Sequence, residues 1–247
     1  MIKNKIYFAS DFHLGIPDLA ESHKRERLIV QWLTEIEKDA KAIYLVGDIF
    51  DFWFEYKTVV PKGFVRLLGK LANLTDTGTA IHLFVGNHDL WMKDYLKKEI
   101  GVTIHYKKII IKEDNKKIFI GHGDGLGKGD YFYKFVKKIF TSKLCQWTFA
   151  RLHPNLAITL AHTWSSSSRR SSEKEKDISN KKEILLEYCK EQQKIKPVDY
   201  YIFGHRHLPL ELKVDESSTY INTGDWLHHY TYAVFKNGKV ELKTYKQ

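Results

Sequence analysis

Five short clusters of aspartate, histidine and asparagine recur along the chain: Asp11-Phe12-His13, Gly47-Asp48, Gly86-Asn87-His88-Asp89, Gly121-His122-Gly123-Asp124 and Gly204-His205-Arg206-His207. They offer imidazole nitrogens and carboxylate or amide oxygens without a thiolate. This donor set suits Mn, Fe or Zn and excludes a cysteine-type structural zinc site. The candidate ligands are Asp11, His13, Asp48, Asn87, His122, His205 and His207. Seven ligands are too many for one four-coordinate ion, and they suit two ions that share one carboxylate.

Two metal ions about 3.5–4 Å apart can hold an oxygen nucleophile and a phosphoryl oxygen together. Each cluster alone is weak evidence for such a site, because asparagine and aspartate after glycine are ordinary turn residues. An isolated Asp-x-His or His-x-His is more often a surface pair than a ligand pair. Five such clusters in one chain, each at the end of a predicted strand, favour a binuclear metal site.

The clusters must be positioned by the strands that precede them. The clearest is the apolar run Ile43-Tyr44-Leu45-Val46, which leads directly into Gly47 and Asp48. Strands are also predicted over residues 5–9, 80–85, 117–120 and 200–203, each directly before another cluster. Because loops at the carboxyl ends of strands converge on one crevice, we expect the five clusters to meet.

The remaining pattern predicts an α/β domain with an insertion. Helices are predicted over residues 21–38, 64–74, 90–99 and 178–194, and further strands over 102–105, 108–111, 220–222, 232–235 and 240–244. Strand patterns are missing from residue 130 to about residue 180, which we interpret as a helical insertion. The predicted boundaries are a core of residues 1–129 and 178–247 and an insertion of residues 130–177. A Ser/Arg stretch, 165–172, is the best candidate for a mobile loop.

Composition limits the class of protein. The 247 residues are 43% hydrophobic and 28% charged, which is typical of a globular domain. The net charge of +10 suits an anionic partner, whether nucleic acid, membrane surface or phosphorylated substrate. Cys145 and Cys189 have no metal-like spacing, and nothing demands a disulfide between them, which fits a reducing cytoplasm. We see neither a signal peptide nor an apolar run near the roughly 20 residues of a spanning helix, and expect a cytoplasmic protein.

The order of the five clusters resembles the calcineurin-like metallophosphoesterase family, and the motifs cover nearly the whole chain. The resemblance implies a two-sheet αββα sandwich and a metal-dependent hydrolase of phosphoric diesters or diphosphates. It implies one ion held by Asp11, His13, Asp48 and His207 and a second held by Asp48, Asn87, His122 and His205. A hydroxide bridging the two ions would attack phosphorus. His88 would stabilise charge or protonate the leaving oxygen, with Asp89 orienting it.

Within this family, the segment from Gly47 to Trp53, the pair Asp130-Tyr131 and the insertion resemble the UDP-2,3-diacylglucosamine pyrophosphatase branch of lipid A biosynthesis. That branch implies hydrolysis to UMP and 2,3-diacylglucosamine 1-phosphate. It also implies an insertion that caps the metal site and holds the acyl chains. Mn²⁺ is the metal that the resemblance favours, with Zn²⁺ or Fe²⁺ as alternatives. The best-known members carry Arg in place of His88 and Thr in place of Arg206.

The start of the insertion predicts an amphipathic helix. Its apolar residues fall on one face: Phe132, Phe135, Val136, Ile139 and Phe140. Its lysines fall on the other: Lys134, Lys137 and Lys138. One interpretation is a helix packed on the domain with its lysines in water. The other is a basic helix at an anionic membrane surface, peripheral to the inner face of the cell membrane.

The candidate substrate-binding residues are Asn87, His88, Asp130, Arg169 and Lys174. Arginines in the 165–172 stretch are typical of a solvated surface run, but they could also close over a diphosphate, because arginine binds phosphate oxygens bidentately. Asp130 is favoured over them, since the Asp-Tyr pair matches the branch.

Two other classes of function remain open. One is another metal-dependent phosphodiesterase or nuclease acting on cyclic nucleotides or DNA, and the other is a non-catalytic binding module. The basic residues look scattered and the insertion is apolar, so a nucleic-acid partner is not expected, and no obligate protein partner is evident. A complete set of candidate ligands argues against a module that has lost catalysis.

Overall fold

The computed structural model of the chain describes residues 3–128, 131–161, 163 and 183–245. The strands are β1 (Lys5–Ala9), β2 (Ala40–Leu45), β3 (Ala80–Phe84), β4 (Thr103–His105), β5 (Ile109–Glu113), β6 (Lys116–Ile120), β7 (Tyr200–Phe203), β8 (Pro209–Lys213), β9 (Thr219–Thr223), β10 (Thr231–Lys236) and β11 (Lys239–Thr244). The helices are α1 (Leu19–Ile36), α2 (Val65–Asp76), α3 (Tyr95–Ile100), α4 (Tyr131–Phe140), α5 (Lys143–Phe149) and α6 (Ile184–Ile195). Helical backbone is also present over residues 154–161.

The strands form two sheets. The first has the order β11-β10-β1-β2-β3-β4, and the second has the order β5-β6-β7-β9-β8. Strands β1 to β4 are mutually parallel, as are β6, β7 and β9. Parallel strands end at the same edge of a sheet, so the loops that follow β1, β2 and β3 are neighbours, and so are the loops that follow β6 and β7.

A layer of apolar side chains joins the two sheets face to face. Strand β1 contributes Ile6 and Phe8 to this layer, while the second sheet contributes Ile118, Ile120 and Ile202. The alternate residues of β1 point to the opposite face of the first sheet, where they pack against α1, α2 and α3. Helix α6 covers the outer face of the second sheet. The four layers are therefore helix, sheet, sheet and helix, and the predicted αββα sandwich is confirmed.

Buried carboxylates from other parts of the chain cap two of the helices. Phe64, the residue before α2, has no side chain that can cap the helix. Instead, Glu26 of α1 accepts hydrogen bonds from the amides of Arg66 and Leu67 at 2.9 and 3.1 Å. Glu55 accepts from the amides of Asp94 and Tyr95, at 2.9 and 3.1 Å, where α3 begins. These contacts satisfy amide groups that have no partner within the helix.

Strands β1 and β7 begin and end at the predicted residues, and most other elements differ by a few residues. Strand β8 was not predicted. The helix predicted over 90–99 begins only at Tyr95, and the one predicted over 178–194 is described from Ile184. The predicted mobile stretch lies outside the described residues. No helix in the described ranges is long and apolar enough to cross a membrane.

Candidate metal centre

The loops after the strands hold five candidate ligands in the left-handed backbone region. These residues are Asp11 (φ 55°), His13 (φ 43°), Asp48 (φ 53°), His205 (φ 69°) and His207 (φ 56°). Residues other than glycine seldom adopt such angles, and this conformation is enriched at functional sites, where the surrounding structure compensates for its cost. The backbone therefore turns sharply at the side chains that the sequence singled out.

Glycines allow the loops to approach one another. A Cβ atom on Gly86 would lie 2.5 Å from the backbone nitrogen of Asp48 and would collide with the Asp48 carboxylate. A Cβ atom on Gly204 would lie 2.5 Å from Asp11 Oδ2. Gly47 combines a φ of 93° with a similar clash against the His122 ring. Larger residues at these positions would push the candidate ligands apart.

One group of candidate ligands is formed by Asp11, His13, Asp48 and His207. The Nε2 atoms of His13 and His207 face each other at 3.2 Å, and His207 Nε2 lies 3.3 Å from Asp11 Oδ1. His13 Nε2 lies 3.8 Å from Asp11 Oδ1 and 3.7 Å from Asp48 Oδ2. Imidazole nitrogens and carboxylate oxygens converging in this way fit a divalent cation held between them.

The second group is formed by Asp48, Asn87, His122 and His205. His122 Nε2 lies 3.3 Å from Asp48 Oδ2 and 3.1 Å from Asn87 Oδ1. Potential ligand atoms of Asp48, His122 and His205 lie within 4.8 Å of one another. Asp48 Oδ2 thus faces histidines of both groups, and the geometry fits two cations that share the Asp48 carboxylate.

A second set of contacts orients the histidine rings. His122 Nδ1 lies 2.8 Å from the carbonyl oxygen of Val46, and His207 Nδ1 lies 3.4 Å from Asp225 Oδ2. His13 Nδ1 lies 3.5 Å from Asp51 Oδ1. The Val46 carbonyl oxygen places the proton of His122 on Nδ1 and leaves Nε2 for a metal. The two aspartates lie beside the Nδ1 atoms of His13 and His207 without a hydrogen bond to them.

Burial and charge act in opposition on the pKa values of two buried histidines, His13 and His122. Burial lowers the pKa of His122, but Asp48 outweighs this effect and raises the pKa to about 10. Burial likewise opposes the protonation of His13, while Asp11 and Asp51 raise its pKa to about 9. Burial and the charge of His122 lower the pKa of His205 to about 4. A cation that binds His13 and His122 must therefore displace protons.

His88 lies beside the first group. Its ring packs edge-on against His13, with ring centroids 4.7 Å apart, and its side chain is 10% exposed. Its Nδ1 lies 3.3 Å from the Asp51 carbonyl oxygen and 3.5 Å from Asp51 Oδ1. His88 is therefore placed at the edge of the centre, in contact with both His13 and Asp51.

Asp89 has a different setting from the one predicted. Its carboxylate accepts hydrogen bonds from the amides of Gly86 at 2.7 Å and Ile49 at 2.8 Å, which ties the loop after β3 to the loop after β2. Burial and the charge of Asp48 raise its pKa to about 7. These contacts place Asp51 rather than Asp89 next to the His88 ring. Of the other predicted substrate contacts, Asp130, Arg169 and Lys174 lie outside the described residues.

Three residues of the centre were missed in the sequence. Asp51 contacts His13 and His88, and Asp225 contacts His207. Asp225 follows β9 and a glycine, which is the pattern of the five clusters, so the sequence contained a signal for it. The sequence contained no such signal for Arg25. Arg25 is buried, and it donates to the carbonyl oxygens of Phe12 at 2.7 Å and His13 at 2.8 Å.

The described part of the insertion rests on aromatic residues that follow Asp48. Phe149 of α5 packs against Phe52, Phe54 and Trp91. Trp91 Nε1 donates a 2.6 Å hydrogen bond to the carbonyl oxygen of Phe140, at the end of α4. Several large apolar side chains of α4 and α5 remain exposed, namely Tyr131, Phe135, Ile139, Leu144 and Trp147.

Comparisons with known proteins identify the family of the chain. Residues 4–209 match the model of the calcineurin-like phosphoesterase family. A Porphyromonas gingivalis protein named UDP-2,3-diacylglucosamine hydrolase is 39% identical, over 98% of this chain and 98% of that protein. A Vibrio parahaemolyticus protein of the same name is 28% identical over 89% of each. A solved phosphoesterase from E. coli aligns over 97% of this chain and 92% of that chain, at 13% identity and a TM-score of 0.48.

Proposed function

The chain belongs to the calcineurin-like phosphoesterase family, and from that premise we propose that it hydrolyses UDP-2,3-diacylglucosamine to UMP and 2,3-diacylglucosamine 1-phosphate. The observation that carries this proposal is the full-length similarity to a relative with that name, in a chain that brings all seven candidate ligands together. A glycolipid diphosphate supplies both the phosphoryl group for the polar centre and acyl chains for an apolar surface.

In this proposal, Asp11, His13, Asp48 and His207 hold one cation, and Asp48, Asn87, His122 and His205 hold the other. When bound, the two cations lower the pKa of a water molecule and offset the negative charge of the phosphoryl group. Mn²⁺ is the metal that we propose, because the family resemblance favours it and the nitrogen and oxygen donors are compatible with it. Zn²⁺ and Fe²⁺ are competitors, because a site of nitrogen and oxygen ligands generally binds both ions more tightly than it binds Mn²⁺.

His88 is the residue that we assign to the leaving group. Its Nδ1 lies next to Asp51, and we assign its Nε2 to a phosphate oxygen of the substrate. It would donate a proton or a hydrogen bond there, which stabilises the charge that develops as the diphosphate bond breaks. Asp89 then acts by holding the two loops together, while Asn87 and His88 contact the substrate. Asp130, Arg169 and Lys174 remain proposed substrate contacts.

We assign residues 1–129 and 178–247 to the core and residues 130–177 to a cap that holds the acyl chains. Exposed apolar residues on α4 and α5 support this assignment, because a helix with such a surface normally packs against something apolar. Lys138 and Lys143 lie beside them and are exposed. A basic and apolar surface of this kind suits peripheral association with the anionic inner face of the cell membrane, from the cytoplasm.

The test uses protein stripped of metal with a chelator and then supplied with Mn²⁺. UDP-2,3-diacylglucosamine in mixed micelles is the first substrate, and UMP release is measured. An aromatic phosphodiester and single-stranded DNA are run in parallel, with Asp48→Asn as the inactive control. We expect metal-dependent UMP release far above turnover of the other two. Turnover of the simple diester alone would keep the two-metal centre and reject the lipid substrate.

A further inference from the structure

A buried carboxylate next to the metal centre is bonded to the insertion. Asp124 is 7% exposed, lies two residues after His122, and is not among the seven candidate ligands. Its Oδ2 accepts hydrogen bonds from Tyr133 Oη and Lys137 Nζ, both on α4. A third α4 side chain, Lys134, donates to the carbonyl oxygen of Gly127 at 2.6 Å. One face of α4 is thus bonded to the loop that carries His122.

The far end of α4 is held to another loop of the centre. Its last carbonyl oxygen, on Phe140, accepts the hydrogen bond from Trp91 Nε1, and Trp91 lies three residues after His88. The helix is therefore attached at one end close to His122 and at the other close to His88. Between these attachments it exposes Phe135 and Ile139. The position of this apolar surface relative to the centre is fixed by the two attachments.

An ordinary surface ion pair would not explain the Asp124 contacts. Burying a carboxylate is costly unless it is paired and hydrogen-bonded, and an exposed pair contributes little. Here the Asp124 side chain is 5% exposed and that of Lys137 is 33% exposed. The chain thus buries a carboxylate at the place where α4 meets the loop that carries His122.

We propose that Asp124 is a positioning residue for substrate selection, which docks α4 through Lys137 and Tyr133 so that the apolar surface of the cap stands at a fixed distance from the metal centre. This inference rests on the proposed function. A substrate with acyl chains needs both the centre and the cap, whereas a small soluble diester needs only the centre. Loss of the docking contact should therefore discriminate between these two classes of substrate.

The experiment places the decisive changes on α4, away from the ligand loop. Lys137→Met removes the charge and keeps the length of the side chain, and Tyr133→Phe removes one hydroxyl. Lys138→Met is the matched control, because Lys138 is the neighbouring lysine of the same helix and is exposed. Each variant is assayed with UDP-2,3-diacylglucosamine in non-ionic micelles and with an aromatic phosphodiester. Non-ionic micelles remove any effect of charge on membrane binding.

We expect Lys137→Met to lower kcat/KM for the acylated substrate by about tenfold or more, mainly through KM, and to leave the diester within about twofold. Lys138→Met should change neither. Asp124→Asn should lower kcat/KM for the acylated substrate similarly, and adding Lys137→Met to it should cost little more, because both changes remove the same contact. An equal loss on both substrates would overturn the proposal, since Asp124 would then act through His122. No loss on either would overturn it as well.

Hydrogen exchange gives a readout that needs no substrate. Amides of residues 135–140 should exchange faster in Lys137→Met than in Lys138→Met, because the docked helix opens more often. Equal exchange in the two variants would show that the contact does not hold α4 and would overturn the proposal. If the unmodified enzyme releases no UMP while it hydrolyses the diester, the proposed function fails, and the exchange comparison still decides whether Asp124 docks the helix.

Discussion

The backbone amide of His88 donates a 2.8 Å hydrogen bond to Asp48 Oδ1, while Asp48 Oδ2 faces both His13 and His122. One oxygen of the carboxylate is therefore fixed by the loop after β3, and the other is directed between the two ligand groups. Gly86 makes this possible, because any side chain there would meet Asp48. Two neighbouring loops thus prepare a single carboxylate oxygen to serve two cations.

Asp48→Asn should abolish turnover of every substrate, because the amide keeps the size of the side chain and removes the charge that two cations would share. We expect a loss of at least about 1,000-fold in kcat, together with a lower metal content per chain. Steady-state rates and elemental analysis measure the two effects. Asp39→Asn is the control, since Asp39 is paired with Lys5 and Tyr7, away from the ligand groups. Retained activity in Asp48→Asn would disprove the ligand assignment.

Metal affinity should rise with pH. The pKa values of about 9 for His13 and about 10 for His122 mean that both rings carry protons at pH 7 before a cation binds. Each displaced proton strengthens binding by up to about tenfold per pH unit below those values. Titration calorimetry at pH 6.5, 7.5 and 8.5, in two buffers of different ionisation enthalpy, measures the affinity and the protons released. Binding that is independent of pH would contradict this expectation.

His88→Asn should slow the reaction without releasing metal. The ring is placed to act on the leaving group, and loss of such a residue typically costs about 100- to 10,000-fold in rate. Metal content should stay at the level of the unmodified protein, because His88 is outside both ligand groups. His23→Asn is a control for histidine loss elsewhere. If His88→Asn instead loses a cation, His88 is a ligand rather than a residue that acts on the substrate.

Gly86→Ala and Gly69→Ala should have opposite effects on stability. The added methyl group at Gly86 would collide with the Asp48 carboxylate, so we expect lower stability, lower metal affinity and little activity. Gly69 is in the interior of α2 with open space around it, and alanine there should stabilise the protein by about 0.5–1 kcal/mol. Chemical denaturation of both variants measures the difference. A neutral Gly86→Ala would mean that the loops after β2 and β3 can separate without cost.

The candidate ligands could be found in the sequence because each follows a strand and most adjoin a glycine, a pattern visible within a few residues. Long-range contacts were not visible in this way. Arg25 acts on the His13 loop from α1, and Asp51 reaches two histidines that are far apart in sequence. The family resemblance implied that Asp89 orients His88, but the Asp89 carboxylate accepts hydrogen bonds from the backbone amides of Gly86 and Ile49.

Element boundaries failed for similar reasons. Helix α3 begins at Tyr95 rather than at residue 90. Glu55, which is distant in sequence, accepts a hydrogen bond from the Tyr95 amide at the start of this helix. Strand β8 was missed because Pro209 opens it and no residue of the strand is fully buried. Among the described strands it lies at the edge of its sheet and pairs with β9 alone. Its existence depends on that neighbour more than on its own residues.

Both ligand groups draw on both sheets. Asp11, His13, Asp48 and Asn87 follow strands of the first sheet, whereas His122, His205 and His207 follow strands of the second. Each cation would therefore be a cross-link between the two halves of the sandwich, and metal binding would raise the free energy of unfolding. The first group also joins Asp11 to His207. A chain emerging from the ribosome cannot complete that site until most of the protein has been made.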